Sequence, residues 1–291
     1  MIAPTLLTRS WDVRGRIFQV ALLLSLLLTL GILFALIADV IVRALPVFEA
    51  RGTEFLGAPL SSNAAKAGVV QGLLGSGLLA LLVAAVAFPL GIATAIYLEE
   101  YAGTGRFARF VQINIRNLAG VPSVVYGLLG LAIFVPLLGR NALSGGATLA
   151  VLVLPIVVIT ASEALRAVPV TLREAGYGVG ASTWEVTSRL VLPAAAPGIL
   201  TGTVLALARA LGETAPLIVA GAVIGSFSGT NVAKMITGNY TALPVVIYDW
   251  SRRPQEAFRA DAAAGIVVLL VAVLAVNAAA ILLRARFERN R

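Results

Sequence analysis

The chain contains no cysteine and no histidine. That excludes disulfides, thiolate nucleophiles, Cys/His metal sites and imidazole acid–base chemistry. Charge is also scarce. Only 12% of the 291 residues are Asp, Glu, Lys or Arg, where a soluble domain carries about 25%. No G-x-x-x-x-G-K-[ST] run occurs, so the chain has no phosphate-cradling loop of its own. The run Gly176-Tyr177-Gly178-Val179-Gly180 does not make a dinucleotide loop, because no strand precedes it and its third glycine is misplaced. Internal repeats, low-complexity tracts and a soluble domain are likewise missing. What is abundant is apolar surface: 59% of the residues are hydrophobic. One soluble core cannot hide that much, so the composition points to a polytopic, all-α membrane protein. The net charge of +8 does not argue for nucleic acid, because the arginines are spread between apolar runs rather than gathered in one patch.

A spanning helix needs about 20 mostly apolar residues. Six stretches qualify, at roughly 17–42, 70–98, 118–138, 147–165, 196–224 and 262–284. The first ends in Asp39-Val40-Ile41-Val42-Arg43 without a small-residue cleavage site and reads as a retained helix. With the N-terminus inside, the inner segments hold 13 Lys and Arg and the outer ones 8, with Arg209 alone within a span. The inner set includes Arg9, Arg106, Arg109, Arg116, Arg166, Arg173, Arg189, Arg289 and Arg291. This bias predicts cytoplasmic N- and C-termini and a cytoplasmic 166–193 loop. The first span stands apart, ahead of a Gly-, Pro- and Ser-containing outer loop. The chain thus reads as one membrane domain over 1–291, with a core at about 68–285 and a peripheral helix at about 17–42. The pairs Gly68/Gly72, Gly198/Gly202 and Gly221/Gly225 permit close helix contact. Asn117, Ser123 and Tyr126 either line a path or serve local capping and packing. In the outer 225–261 loop, with Asn231, Asn239, Tyr240, Asp249, Arg252 and Arg253, Tyr248 and Trp250 read as interface anchors. The loop also faces the side where an external protein would dock.

The 166–193 loop carries a spaced pattern: Glu174-Ala175-Gly176, three residues, Gly180, nine residues, then Leu190-Val191-Leu192-Pro193. It predicts a short helix, a turn and a second helix. Thr171 lies three residues before Glu174 and suits a capping box. Gly180 supplies a turn where a side chain does not fit or φ is positive. Ser182 or Thr183 caps the next helix, with Glu185 in its first turn. Pro193 is expected to stop that helix at the membrane border. Ala175, Gly176 and Gly178 are small enough for the first helix to sit deep in a partner's groove. The pattern resembles the EAA coupling loop of ABC importer permeases. That resemblance implies a membrane subunit gripping a separate ATP-hydrolysing subunit, and a chain that moves a solute without covalent chemistry.

The fifth span contains Arg209 and Glu213, four residues apart and so on one helix face. Each ionisable group near a helix centre costs about 2.5–3.5 kcal/mol on insertion scales, so such groups face a bundle interior or a watery path. One reading is a structural ion pair. The other is a stepping stone for an oxyanion, with the Arg fork on the anion and the carboxylate weakening its hold.

Several segments resemble phosphate-importer permeases: residues 95–102 (AIYLEEYA), 117–131 (NLAGVPSVVYGLLGL), 210–217 (ALGETAPL) and 242–255 (ALPVVIYDWSRRPQ). The last is closer to the A-type (PstA) subunits than to their C-type partners. Gly176 and Leu190 depart mildly from the broader importer pattern. The resemblance covers about 17–285 and implies the type I, MetI-like importer architecture in a bacterial inner membrane. It also implies four partners: a C-type permease subunit, two copies of an ABC ATPase and an extracytoplasmic phosphate-binding protein. No cofactor is expected on this chain, with ATP and Mg on the ATPase. Competing readings are another oxyanion such as molybdate or sulfate, and an ion-driven secondary transporter. The latter usually shows repeated halves and has no use for an EAA loop. An intramembrane Ser protease lacks its His, and both lysines, Lys66 and Lys234, are predicted outside the membrane.

Overall fold

A computed structural model describes residues 13–103, 105–223 and 232–289. Arg9, Gly225, Asn231 and Arg291 therefore lie outside the described residues, as does the side chain of Arg289. Among the described residues there is no strand. Among the described residues five helices are long and apolar enough to cross a membrane, or six if a bent pair is counted as one span.

The long helices are α1 (Val13–Arg51), α2 (Val70–Tyr101), α5 (Ala142–Arg166), α7 (Thr183–Gly212) and α10 (Glu256–Arg289). The bent pair is α3 (Arg106–Ala119) and α4 (Ser123–Leu138), at 105° to each other. Short helices are α6 (Val170–Gly178), α8 (Ala215–Val219) and α9 (Leu243–Arg252).

Two expected spans change. The third begins at Ser123 and not 118, because Pro122 breaks the ladder and the preceding helix turns aside. The Tyr126 hydroxyl reaches back across this elbow and donates to the Leu118 carbonyl at 2.8 Å. Of the two roles open to Tyr126, the structure supports capping and packing. The fifth span is not helical through 224: α7 stops at Gly212, and Glu213 takes an extended conformation.

Helix α5 is central. Asn141 and Ser144 form a capping box at its start, which satisfies two otherwise orphaned donors. Small residues then line its close contacts. Gly145 lies under the Tyr240 ring, Gly146 against Leu82, and Gly91 of α2 against Val157. Gly198 and Gly202 of α7 meet Ala164 and Thr160, so that pair does serve a helix–helix contact. Gly72 meets Leu243, whereas Gly68 meets Ala58 in a loop and Gly221 sits in a turn at φ +96°.

The segment 239–243 is threaded between α2 and α5. Its backbone polar groups are paired there, as an apolar interior demands. Val223 N donates to Tyr240 O at 2.8 Å, Thr241 Oγ1 to Val223 O at 3.0 Å, and Leu243 N to Ser76 Oγ at 2.9 Å. Burial pushes the Tyr240 phenol well above its ordinary pKa. Trp250 is not an interface anchor. It is 1% exposed, its ring 6.1 Å from Phe55 and 6.3 Å from Phe258. Arg51 at the end of α1 pairs with buried Asp261 beneath this aromatic cluster. Tyr248 is exposed, as an anchor requires, and accepts from Arg252 at 2.7 Å.

Gly75 and Gly77 lie on opposite sides of α2. A Cβ on Gly75 would overlap the Thr241 carbonyl, while one on Gly77 meets nothing within 4 Å. Gly75→Ala is expected to destabilise the fold by about 1–3 kcal/mol through overpacking. Gly77→Ala should leave the thermal unfolding temperature unchanged or raised. Thermal unfolding in detergent checks both.

Candidate functional site: the 166–193 loop and the break after Arg209

The loop forms two helices joined by a Schellman turn. Ala181 N donates to Gly176 O at 3.1 Å and Gly180 N to Tyr177 O at 2.9 Å. Gly180 holds φ +82° with open space around its Cα. Its need for glycine is therefore the left-handed backbone and not a lack of room. Ser182 caps the next helix. Glu185 N donates to its hydroxyl at 3.3 Å, and Glu185 Oε2 accepts from Ser182 N at 2.9 Å.

Three expectations about the loop are corrected. Thr171 is not a cap: α6 starts directly after Pro169, with no side-chain cap bond. The helix begins at Val170, directly after Pro169, which leaves Thr171 inside it. Gly176 does not face a partner's groove. It is buried, and a Cβ there would lie 2.8 Å from Val186 and 2.9 Å from Leu190 of this chain's own α7. Pro193 does not stop the helix, which runs on to Gly212. The turn before it, Thr187–Val191, is a π turn. Its wider spacing disposes of the hydrogen bond that proline cannot donate.

Glu174 and Ala175 are exposed, while Leu190 and Pro193 are half-buried. Around the two exposed residues lies an apolar rim. Val170, Tyr177, Val179 and Trp184 are 64%, 45%, 84% and 70% exposed. A patch of this kind on a polar loop marks an interaction surface.

Two acids the sequence reading did not single out fasten this loop. Glu99 and Glu100 sit in a π turn that ends α2. Glu100, 3% exposed, is gripped by Arg173 of α6 at 2.8 and 3.3 Å. The same guanidinium donates to the Leu165 and Val168 carbonyls at 2.9 and 2.8 Å, closing the end of α5. Glu99 takes Arg166 at 2.7 and 2.8 Å. Carboxylates at a helix C-terminus oppose its dipole, so twin acids ending a span signal nearby cations. The inward arginines 166 and 173 were the available signal.

Arg209 and Glu213 do meet, with Nε 3.5 Å from Oε1. They do so at the end of a helix and not along one. Glu213 N closes the last turn on Ala210 O at 3.3 Å. The chain then enters α8, whose Pro216 and Val219 pack on Gly127 of α4. The Arg209 side chain is 50% exposed and Glu213 16%. Arg209 lies 16 residues beyond Pro193, roughly 24 Å at 1.5 Å per residue.

Breaking a buried ion pair by neutralising one partner costs about 3–5 kcal/mol. Glu100→Gln should therefore loosen α6 while the spans stay inserted. Protease cutting within 170–180, measured on inside-out vesicles, should rise by at least about tenfold. Glu99→Gln, whose partner Arg166 is half-exposed, should have a much smaller effect.

Residues 87–291 match the family described as binding-protein-dependent transport system inner membrane component. The phosphate transport system permease protein PstA 1 of Mycobacterium tuberculosis (strain H37Rv) is 38% identical over 77% of this chain and 72% of its own. PstA of Yersinia pestis is 35% identical over 79% and 75%. A bacterial alginate ABC transporter, solved with an alginate-bound periplasmic protein, shares the fold at TM-score 0.63 and 18% identity, over 91% of this chain and 93% of that one. An inward-facing MetNI methionine ABC transporter does so at TM-score 0.57 and 16% identity, over 76% and 94%. The chain therefore belongs to the binding-protein-dependent transport system inner membrane components, and within them to the PstA permeases.

Proposed function

We propose that this chain is the A-type permease subunit of an ATP-driven importer for inorganic phosphate. It forms the translocation path together with a C-type permease subunit. Two copies of an ABC ATPase dock on the cytoplasmic loops, and an extracytoplasmic phosphate-binding protein delivers the solute. ATP and Mg belong to the ATPase, and this chain supplies no cofactor site. Both termini face the cytoplasm of a bacterial inner membrane, in keeping with the 13-to-8 distribution of basic residues. The PstA relatives are phosphate transport permeases by name, which favours phosphate over molybdate or sulfate.

The observation that carries the reading is the half-exposed Arg209 at a helix break within the membrane. A guanidinium facing lipid is costly, so its open side belongs on a water-filled seam with the second permease subunit. Irregular backbone at membrane depth is tolerated where it lines such a cavity. The Arg fork matches phosphate oxygens, and Glu213 limits how long the anion is held. Phosphate carries one or two charges at neutral pH, so the partner subunit contributes a further cation. For docking, the support is the exposed Glu174 and Ala175 within the apolar rim of a loop tied to α2 and α5.

Arg209→Gln should lower phosphate uptake by at least about tenfold, since hydrogen bonds to charged groups contribute about 1.5–3 kcal/mol each. The assembled complex should persist. Arg209→Lys should restore uptake only in part. Uptake and assembly measured for Arg209→Gln, Glu213→Gln and the double variant test the reading. Full uptake in the double variant would mean that the pair is a structural lock and not an anion ligand.

A further inference from the structure

Helix α3 turns away from α4 and is built with unusual regularity. It has three faces. Ala108, Val111 and Ile115 pack on the bundle. On one flank Phe107, Phe110 and Leu118 are 69%, 64% and 46% exposed. At 100° per residue the other flank carries Arg109 and Arg116. The helix turns 105° from the spanning α4, so it lies close to the membrane plane. Its N-terminus follows directly on the end of α2, where Glu99 and Glu100 hold the 166–193 loop.

The basic flank opens on a cleft of about 380 Å³ walled by Glu99, Arg109, Gln112 and Arg166, with backbone at Gly103 and Gly105. A narrower recess beside it is lined by Arg116 and Glu163. Arg166 is already committed to Glu99 by two bonds. Arg109 and Arg116 have no ion pair among the described residues. The cleft is net positive, because Arg109 adds to the Glu99–Arg166 pair, while in the recess Arg116 faces one further carboxylate, Glu163. Exposed phenyl rings on the opposite flank are suited to acyl chains and not to water.

We infer that α3 lies in the inner leaflet and that its basic flank, with Arg109 in the cleft and Arg116 in the recess beside it, holds the headgroup of an anionic phospholipid. Phe107, Phe110 and Leu118 enter the acyl layer, and the arginine flank stands at headgroup depth. The inference rests on the cytoplasmic placement of the 166–193 loop proposed above. It goes beyond transport itself, because it makes the leaflet's lipid composition part of the structure that supports the coupling loop. The lipid competes with nothing in the Arg209 region, which lies at the far end of α7.

The chain lacks cysteine, so a single probe is easily placed. The purified complex carrying Phe107→Cys, labelled with a fluorophore, is reconstituted in nanodiscs containing brominated phosphatidylglycerol or brominated phosphatidylcholine. Brominated phosphatidylglycerol should quench more strongly. Each arginine near an anionic surface contributes roughly fivefold, so Arg109→Gln/Arg116→Gln should lower the preference by about 25-fold. The double Lys variant should keep most of it, because a point charge suffices for a headgroup. Equal quenching by the two lipids, or a preference unaltered by the Gln pair, overturns the inference. Loss of the preference on adding millimolar inorganic phosphate overturns it too, in favour of a free-phosphate site. A separate Gly178→Cys, probed with a membrane-impermeant thiol reagent on right-side-out vesicles, isolates the orientation. Labelling from outside refutes the topology whatever the lipids show.

Discussion

Everything around the 166–193 loop depends on the ion pair between Arg173 and Glu100. A docking helix transmits force only if it is held stiffly to the helices it must move. Helix α6 is nine residues long, too short to be stable by itself in water. Its rigidity comes from a buried guanidinium that satisfies a carboxylate ending α2 and two carbonyls ending α5. The four groups meet at one point, so the loop, α2 and α5 form a single mechanical unit. Gly176 against Val186 and Leu190 adds α7 to that unit. On the proposed reading, a push on Glu174 and Ala175 would reach three spanning helices together.

The membrane half follows a different constraint. Helices in an apolar medium gain nothing from burying more apolar surface, so they associate through close packing and satisfied polar groups. Helix α5 shows this plainly. Gly145 and Gly146 let the 239–243 segment and α2 approach its backbone, and Gly198 and Gly202 bring α7 against Ala164 and Thr160. The two places where the ladder breaks, at Gly120–Pro122 and at Gly212–Thr214, are next to Tyr126 and Arg209. They are the positions where irregular backbone brings polar groups together, and rigid packing on α5 holds them in place.

The sequence made much of this legible, for physical reasons that can be named. Long apolar runs report spans because a bilayer leaves few alternatives. Gly180 was readable because a left-handed turn after a short helix demands glycine. The two S/T-x-x-E patterns in the loop show where local reasoning ends. Ser182 and Glu185 form their box; Thr171 and Glu174 do not, because Pro169 had already started the helix. Pro193 does not end its helix for a related reason: a π turn upstream absorbs its missing donor. The pairs of Glu99 and Glu100 with Arg166 and Arg173 join residues 67 and 73 positions apart, and no periodicity encodes such a distance. Trp250 looked interfacial because its segment lies between spans. Only the tertiary arrangement of Phe55 and Phe258 buries it.

The claim that the loop and the spanning helices move as one body is open to a direct measurement. Spin labels at positions 101 and 178, both exposed, sit on the two sides of the Arg173–Glu100 junction. Their separation can be followed by pulsed electron–electron resonance in the assembled, reconstituted complex, with and without ATP. A stiff junction predicts one narrow distance distribution that nucleotide does not move. A broad distribution, or one that shifts when ATP binds, would mean that the loop flexes independently of α2 and would contradict the account.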